Sequence, residues 1–228
     1  MKIEFLSHSG FLIDDGQRCY VFDYYKDPAH IVEKQFKAGR ELWFFVSHIH
    51  HDHYNPEIKN FDSTKTQYIV HKDIPLTGVQ HLHTLEPTED VTIQNVAIHM
   101  YGSTDEGGSF LVDNGKKRIF HAGDLNWWHW LGDTLENIRF ARKLMEKEFI
   151  PLADLTVDIA LFPVDARLEE AREWGVLEFL KFVTVKELLV PMHYFGDAWE
   201  PTPYFKALHG ALPLWIHQND GEEFLLDE

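Results

Sequence analysis

The sequence predicts an α/β fold in which helices cover two packed sheets, within one domain spanning residues 1–228. Short segments rich in Phe, Ile, Val and Tyr come first along the chain, and helical and strand patterns alternate later, an order typical of a layered α/β domain. No linker, low-complexity tract or long repeat interrupts the 228 residues, which are compatible with one large domain. With 44% hydrophobic and 25% charged residues, the composition excludes a disordered or fibrous protein.

The first half of the chain consists mainly of predicted strands. Each is a short run of aliphatic and aromatic residues: 2–6, 11–13, 19–22, 42–46, 67–70 and 91–101. Residues 109–112 and 118–120 are predicted to pair as a hairpin around Asn114-Gly115, since this dipeptide favours tight turns. A short helix is predicted over 31–37, ending at Gly39.

The second half has the alternating pattern. Residues 134–149 carry Leu135, Ile138, Met145 and Phe149 at helical spacing with charges between them, which predicts an amphipathic helix. The other elements predicted here are helices over 168–183 and 202–208 and strands over 159–162, 188–190 and 215–225.

Charge and cysteine content restrict the partners and the compartment. With 21 basic and 37 acidic residues the net charge is −16, which disfavours nucleic acid and favours a small-molecule substrate. No stretch reaches the roughly 20 apolar residues of a membrane helix, so no membrane association is predicted. Residues 1–6 resemble a strand rather than a signal peptide, and the single Cys19 cannot form an internal disulfide. We therefore expect a cytoplasmic protein.

Seven residues, Ser-His-Ile-His-His-Asp-His at 47–53, directly follow the predicted strand 42–46 and indicate a metal site. If the backbone stays extended, His48 and His50 project to the same side, so both can bind one ion, while Asp52 and His53 reach a second. Imidazole beside carboxylate suits Zn²⁺, Mn²⁺ or Fe²⁺, with one or two ions bound. A solvated histidine-rich loop or a tag is the alternative, but a tag lies at a terminus and a loop rarely includes the aspartate.

The pattern His48-x-His50-x-Asp52-His53 resembles the HxHxDH signature of the metallo-β-lactamase superfamily. The resemblance continues in order through Phe-His-Ala-Gly-Asp at 120–124 and Val-Pro-Met-His-Tyr at 190–194. Together with Leu-Ser-His-Ser-Gly-Phe at 6–11, these segments look most like the single-domain branch of ascorbate-6-phosphate lactonase-like metal-dependent hydrolases. The resemblance implies the αββα sandwich of that superfamily.

Carried over by position, the resemblance also implies a ligand set. Asp124 would bridge two metals, and His193 would join Asp52 and His53 at the second one. The complete set of implied ligands is His48, His50, Asp52, His53, Asp124 and His193. The superfamily usually supplies one more first-site histidine before the Gly-Asp pair, and residues 100–108 contain none. Asp105 could substitute for it, His99 could reach in, or the first site could be incomplete.

Other residues are candidates for supporting roles. The run Trp-Trp-His-Trp at 127–130 is predicted to be a substrate lip, an oligomer contact or plain packing, with Trp127 as a possible substrate contact. Arg167 could bind an anionic substrate group or form an ion pair, and Tyr194 could donate to an oxyanion. His8 is predicted to line the site or to make a structural hydrogen bond, His51 to point away, and His121 to orient a neighbour.

These observations predict a metal-dependent hydrolase that uses metal-activated hydroxide on a small-molecule ester, lactone, amide or phosphodiester. Asp52 is the predicted catalytic carboxylate, orienting the nucleophile or passing its proton to the leaving group. The alternatives are a metal-binding protein whose catalysis has lapsed with the missing histidine and, less favoured, a nuclease. A homo-oligomer is compatible with the aromatic run.

Overall fold

The computed structural model describes residues 1–193 and 195–226, which divide into two compact units. The first unit comprises Met1–Glu86 with His217–Glu228, and the second comprises Pro87–Ile216. Each unit contains one β-sheet. The assignment of all 228 residues to a single domain stays a prediction.

The first unit has a seven-stranded sheet with strand order β13-β1-β2-β3-β4-β5-β6. Its strands are β1 (Lys2–Ser7), β2 (Gly10–Asp14), β3 (Arg18–Phe22), β4 (Glu41–Val46), β5 (Gln67–His71), β6 (Leu82–Leu85) and β13 (Glu223–Leu225). The pairs from β13 to β3 are antiparallel and those from β3 to β6 are parallel. Helix α1 (Ile31–Lys37) lies between β3 and β4 in the chain and begins where the Asp27 carboxylate accepts two backbone N–H groups.

Three of the parallel strands of this sheet, β3, β4 and β5, are almost entirely buried. Every residue of β3 and β5 is buried, as are all but the first residue of β4. Buried parallel strands are continuous apolar runs in sequence, which is why 19–22, 42–46 and 67–70 were recognisable without alternation. Both β3 and β4 end at the same sheet edge, so residues that follow them lie close together.

The second unit has a six-stranded sheet with strand order β12-β11-β10-β9-β8-β7. Its strands are β7 (Asp90–Ile93), β8 (Val96–Tyr101), β9 (Ser109–Asp113), β10 (Arg118–His121), β11 (Leu155–Pro163) and β12 (Val183–Met192). The pairs from β7 to β10 are antiparallel and those from β10 to β12 are parallel. Its helices are α2 (Leu135–Phe149), α3 (Trp174–Phe182) and α4 (Pro203–His209).

Several predicted elements differ in extent from those observed. The predicted strand 91–101 is a hairpin, β7–β8, because Gln94 adopts a left-handed φ of 54° at the turn. The predicted helix 168–183 is a short 3₁₀ helix, Ala166–Ala171, followed by α3, since Glu169 (φ 53°) interrupts the helical backbone. Of 215–225 only β13 is a strand, and β6 was not predicted.

Helix α2 begins at the predicted Thr134, whose side chain accepts the Asn137 N–H as an N-cap. Its predicted apolar face is only partly buried: Met145 and Phe149 are, whereas Leu135 is 70% exposed. No helix in the described part of the chain is long and apolar enough to cross a membrane.

Candidate metal centre

The segment 47–53 forms a turn directly after β4, and this turn brings His48 and His50 together. The backbone N–H groups of His53 and Tyr54 both donate to the carbonyl of His50. Nε2 of His48 lies 3.0 Å from Nδ1 of His50. The two imidazoles therefore converge, as predicted from their spacing, although a turn rather than an extended strand places them.

Asp23, which follows β3, organises this segment. Its buried carboxylate accepts the Ser47 N–H at 2.8 Å and the Ser47 hydroxyl at 2.7 Å. The same carboxylate lies 2.7 Å from Nδ1 of His53. Because the Ser47 proton goes to Asp23, the Ser47 oxygen accepts from Nδ1–H of His48 at 2.9 Å.

Those bonds assign a tautomer to each histidine. In His48 and His53, Nδ1 carries the proton that an oxygen acceptor receives, so Nε2 is the nitrogen suited to a metal. Asp23 was missed in the sequence. The signal in the sequence was an acidic residue directly after the apolar run that forms β3. Because β3 runs parallel to β4, Asp23 lies close to the histidine segment that follows β4.

His8 completes the cluster of the first unit. Its Nε2 lies 3.4 Å from the Asp52 carboxylate, and one ligand atom each from His8, Asp52 and His53 falls within 4.8 Å of the others. His8 has a left-handed φ of 58°, so its backbone is held in a conformation disfavoured for a side chain of this size. His51 is 89% exposed, which confirms that it points away.

In the second unit, Asp124 and His193 lie side by side. Asp124 follows β10 in a turn where Gly123 has a φ of 53°, and the Gly123 N–H donates to Nδ1 of His121. This bond gives His121 the orienting role predicted for it. Nε2 of His193 lies 3.2 Å from the Asp124 carboxylate, and both side chains are buried.

Asp165 orients His193. Its fully buried carboxylate lies 3.1 Å from Nδ1 of His193 and accepts from Nε and Nη2 of Arg167 at 3.0 and 2.6 Å. Burial raises the pKa of Asp165, but the hydrogen bonds from His193 and Arg167 outweigh it and lower the pKa to about 2. Of the two roles considered for Arg167, the ion pair is the one present in the described residues.

The loop 101–108 places Asp105 beside Asp124, their carboxylate oxygens within 4.8 Å of each other. Thr104 holds the loop in place, donating to the Asn126 carbonyl at 2.6 Å and accepting the Asn126 N–H at 2.8 Å. His99 instead pairs with Asp90 at 2.7 Å and belongs to no ligand cluster among the described residues. Of the three alternatives, the geometry favours Asp105.

The tryptophan run divides into two pairs. Trp127 and His129 pack against Trp174 of α3, with ring centroids 5.4 and 4.6 Å away. Trp128 and Trp130 stack on each other at 5.8 Å, and Trp128 lies 5.3 Å from His193. A substrate role for Trp127 stays a prediction, and Tyr194 lies outside the described residues.

The donor set fits a divalent metal. The first unit offers imidazole nitrogens with one carboxylate, and the second offers two carboxylates with one imidazole. These nitrogen and oxygen donors suit Zn²⁺, Mn²⁺ or Fe²⁺ rather than the all-oxygen environment of Ca²⁺ or Mg²⁺.

Comparisons with known proteins agree with this chemistry. No protein-family model matches the chain. A UPF0173 metal-dependent hydrolase of Alkaliphilus metalliredigens is 25% identical, with 85% of each chain covered. The relatives from Natranaerobius thermophilus and Desulforamulus reducens carry the same name, at 21% and 25% identity. The predicted reaction class, a metal-dependent hydrolase, agrees with these names.

Solved structures show the fold. Igni18, a metallo hydrolase of Ignicoccus hospitalis, matches with a TM-score of 0.66 and 17% identity over 99% of both chains. The metallo-β-lactamase fold protein YhfI of Bacillus subtilis matches with a TM-score of 0.60 and 14% identity over 98% of both. The predicted α/β fold class is confirmed, and the fold is the metallo-β-lactamase fold.

Proposed function

We propose that this chain, which has the metallo-β-lactamase fold, is a metal-dependent hydrolase acting on a small-molecule ester, lactone, amide or phosphodiester. Its proposed ligands are His48, His50, Asp52 and His53 in the first unit and Asp124 and His193 in the second. Asp105 is proposed as a further ligand.

The main support for the proposal is that Nδ1 of three of these histidines donates a hydrogen bond to a buried oxygen acceptor. Ser47 holds His48, Asp23 holds His53 and Asp165 holds His193. A histidine that only packs in a core does not need its tautomer specified, whereas a ligand needs a defined lone pair on Nε2. Repetition of the arrangement at three ligand positions supports metal binding over a structural role.

A bound divalent metal would lower the pKa of its water to about 7 and so supply a nucleophile at neutral pH. The chain supplies proton transfer and orientation. Asp52 is the proposed proton carrier, which would accept a proton from water and return it to the leaving group. Its carboxylate lies 3.4 Å from Nε2 of His8. Asp165 and Asp23 keep the histidine rings oriented through the reaction.

Zinc is the proposed metal, with manganese or iron as the alternatives, because mixed imidazole and carboxylate donors suit all three. The net charge of −16 supports a small-molecule substrate over a nucleic acid. The alternative of lapsed catalysis depended on a missing ligand, and the position of Asp105 beside Asp124 supports the enzyme instead. The cytoplasmic location and the oligomeric state stay predictions.

The test is metal content and hydrolysis in two variants of one motif. His48→Ala should lose most bound metal and at least about 100-fold in activity, because a buried ligand is removed. His51→Ala is the matched control, since this neighbouring side chain is 89% exposed. Metal analysis of proteins purified without chelator, with far-UV circular dichroism to confirm folding, decides the result. Unchanged metal content in His48→Ala would refute the proposal.

A further inference from the structure

Three aromatic rings surround His193 and Arg167 in the second unit. We call Trp128, Trp130 and Phe195 the aromatic collar. Trp128 and Phe195 lie 5.3 and 5.7 Å from the His193 ring. The Arg167 guanidinium lies 4.1 Å from Phe195 and 5.4 Å from Trp130. The collar therefore lies beside a proposed ligand rather than at a distant surface.

The collar exposes large apolar surface. Trp130 is 37% exposed and Phe195 is 43% exposed. Large aromatic side chains stabilise a protein most when they are buried, so their exposure here is not explained by packing of the core. The segment is nevertheless held in place: Trp128 Nε1 donates to the Asp124 carbonyl at 2.9 Å, and the intervening His129 packs on Trp174. Exposed aromatic rings on an anchored backbone beside a proposed metal ligand are typical of an interaction surface.

In the metal-free chain, the charge of the collar argues against an anionic ligand. Arg167 is its only cation among the residues described here, and its guanidinium is already paired with both oxygens of the buried carboxylate of Asp165. An anion would have to compete with a carboxylate that is fully desolvated and cannot leave. The chain as a whole carries −16, which repels anions further.

We infer that the collar binds a flat, uncharged, apolar group of the substrate, an aromatic ring or its equivalent, and places the scissile bond beside His193. The inference rests on the proposed function and narrows its substrate class. Arg167 lies over the rings of Phe195 and Trp130, so a flat group would stack on the ring surface that stays exposed, and this stacking stabilises it beyond the area it buries. This assigns substrate recognition to Trp130 and Phe195 rather than to a salt bridge from Arg167.

Binding to the metal-stripped chain tests the inference without catalysis. The probes are 2-naphthylmethanol, 2-naphthoate and decahydro-2-naphthylmethanol, which separate flatness from charge and size. Titration calorimetry should find the flat alcohol binding about 5- to 10-fold tighter than either other probe. Equal affinity for all three, or tighter binding of the anion, would overturn the inference.

Variants locate the binding. Trp130→Ala and Phe195→Ala should each weaken 2-naphthylmethanol about 5-fold or more, and Trp130→Phe should restore most of the affinity. Phe140→Ala is the matched control, because Phe140 is a 65% exposed aromatic on α2 outside the collar. If the collar variants bind the flat alcohol as the parent does, the ring binds elsewhere and the inference fails.

Hydrolysis distinguishes the two proposals. The metal-loaded chain should cleave 2-naphthylmethyl acetate with a kcat/KM at least about 5-fold above that for decahydro-2-naphthylmethyl acetate, since both release a primary alcohol, and Trp130→Ala should reduce this ratio. Equal kcat/KM for both esters would refute the collar's role while supporting the hydrolase. Tight, collar-dependent binding of 2-naphthylmethanol without cleavage of any ester, amide or phosphodiester would refute the hydrolase and leave the binding surface established.

Discussion

The two units assemble their candidate ligands in opposite ways. In the first, His48, His50, Asp52 and His53 come from one seven-residue segment and are mostly imidazoles. In the second, carboxylates dominate and come from separate loops, after β8 and after β10, with His193 after β12. The first cluster is set by a local turn and the second by the register of strands distant in sequence.

The two clusters nevertheless share one device, a buried aspartate behind a histidine. Asp23 holds His53 and, through Ser47, His48, whereas Asp165 holds His193 and is itself held by Arg167. The difference is that Asp23 satisfies backbone as well as side-chain donors, so it supports the fold of its segment. Asp165 mainly orients one proposed ligand, His193.

The largest effect is expected for Asp23→Ala. Removing the carboxylate leaves the Ser47 N–H, the Ser47 hydroxyl and Nδ1 of His53 without this buried acceptor, so the free energy of unfolding should fall by about 3 kcal/mol. Urea denaturation measures the loss. Asp73→Ala, with a 65% exposed side chain in the same unit, should change it by less than about 0.5 kcal/mol. A smaller loss in Asp23→Ala than in the control would contradict the supporting role.

Asp165→Asn should act on the metal more than on the fold. The amide keeps the volume but no longer accepts fully from His193 and Arg167, so metal affinity should fall about 10- to 100-fold. Competition with a chelator of known affinity measures it. Glu170→Gln, an exposed change in the 3₁₀ helix that follows Asp165, serves as the control. Wild-type metal affinity in Asp165→Asn would show that His193 needs no orienting partner.

Asp105→Ala should remove one metal rather than destabilise the chain. Asp105 is exposed, so the free energy of unfolding should change by less than about 0.5 kcal/mol, while bound metal falls from about two ions per chain towards one. Elemental analysis beside Glu106→Ala, an exposed neighbour, tests this. A stoichiometry of one in both the parent and Asp105→Ala would mean that the first site is incomplete.

The smallest effect concerns Cys19 in β3, a reporter of the first unit alone. Burial raises the pKa of its thiol from 9.0 to about 12, so the native thiol stays protonated and should not react with a disulfide reagent at pH 8. Between pH 9.0 and about 12 the thiol ionises in the unfolded chain but not in the native one. The free energy of unfolding therefore falls as the pH rises through this range.

Labelling kinetics of Cys19 then sharpen the comparison. Asp23→Asn should accelerate labelling several-fold by favouring opening of the first unit, whereas Asp165→Asn should leave the rate unchanged. Equal acceleration by both variants would mean that the two units do not open separately.

The sequence alone determined the elements with strong local signals. The continuous apolar strands, the extent of the helix over 134–149 and the contiguous histidine motif are each encoded within a few residues, so pattern and spacing were enough. The outward direction of His51 was also predictable from the motif, because neighbouring side chains on a turn cannot all point to one side.

Only the tertiary structure decided which distant residues join each cluster. Asp23, Asp165 and Asp105 have no motif of their own, and their roles follow from parallel strand ends and from a loop held by Thr104. The sequence also could not predict that residues 127 and 129 pack on α3 while residues 128 and 130 stack on each other, because the side chains on both sides of this run are aromatic. Local backbone preference acts over a few residues, whereas the partners of a buried carboxylate depend on long-range strand register, which is set by the packing of the whole unit.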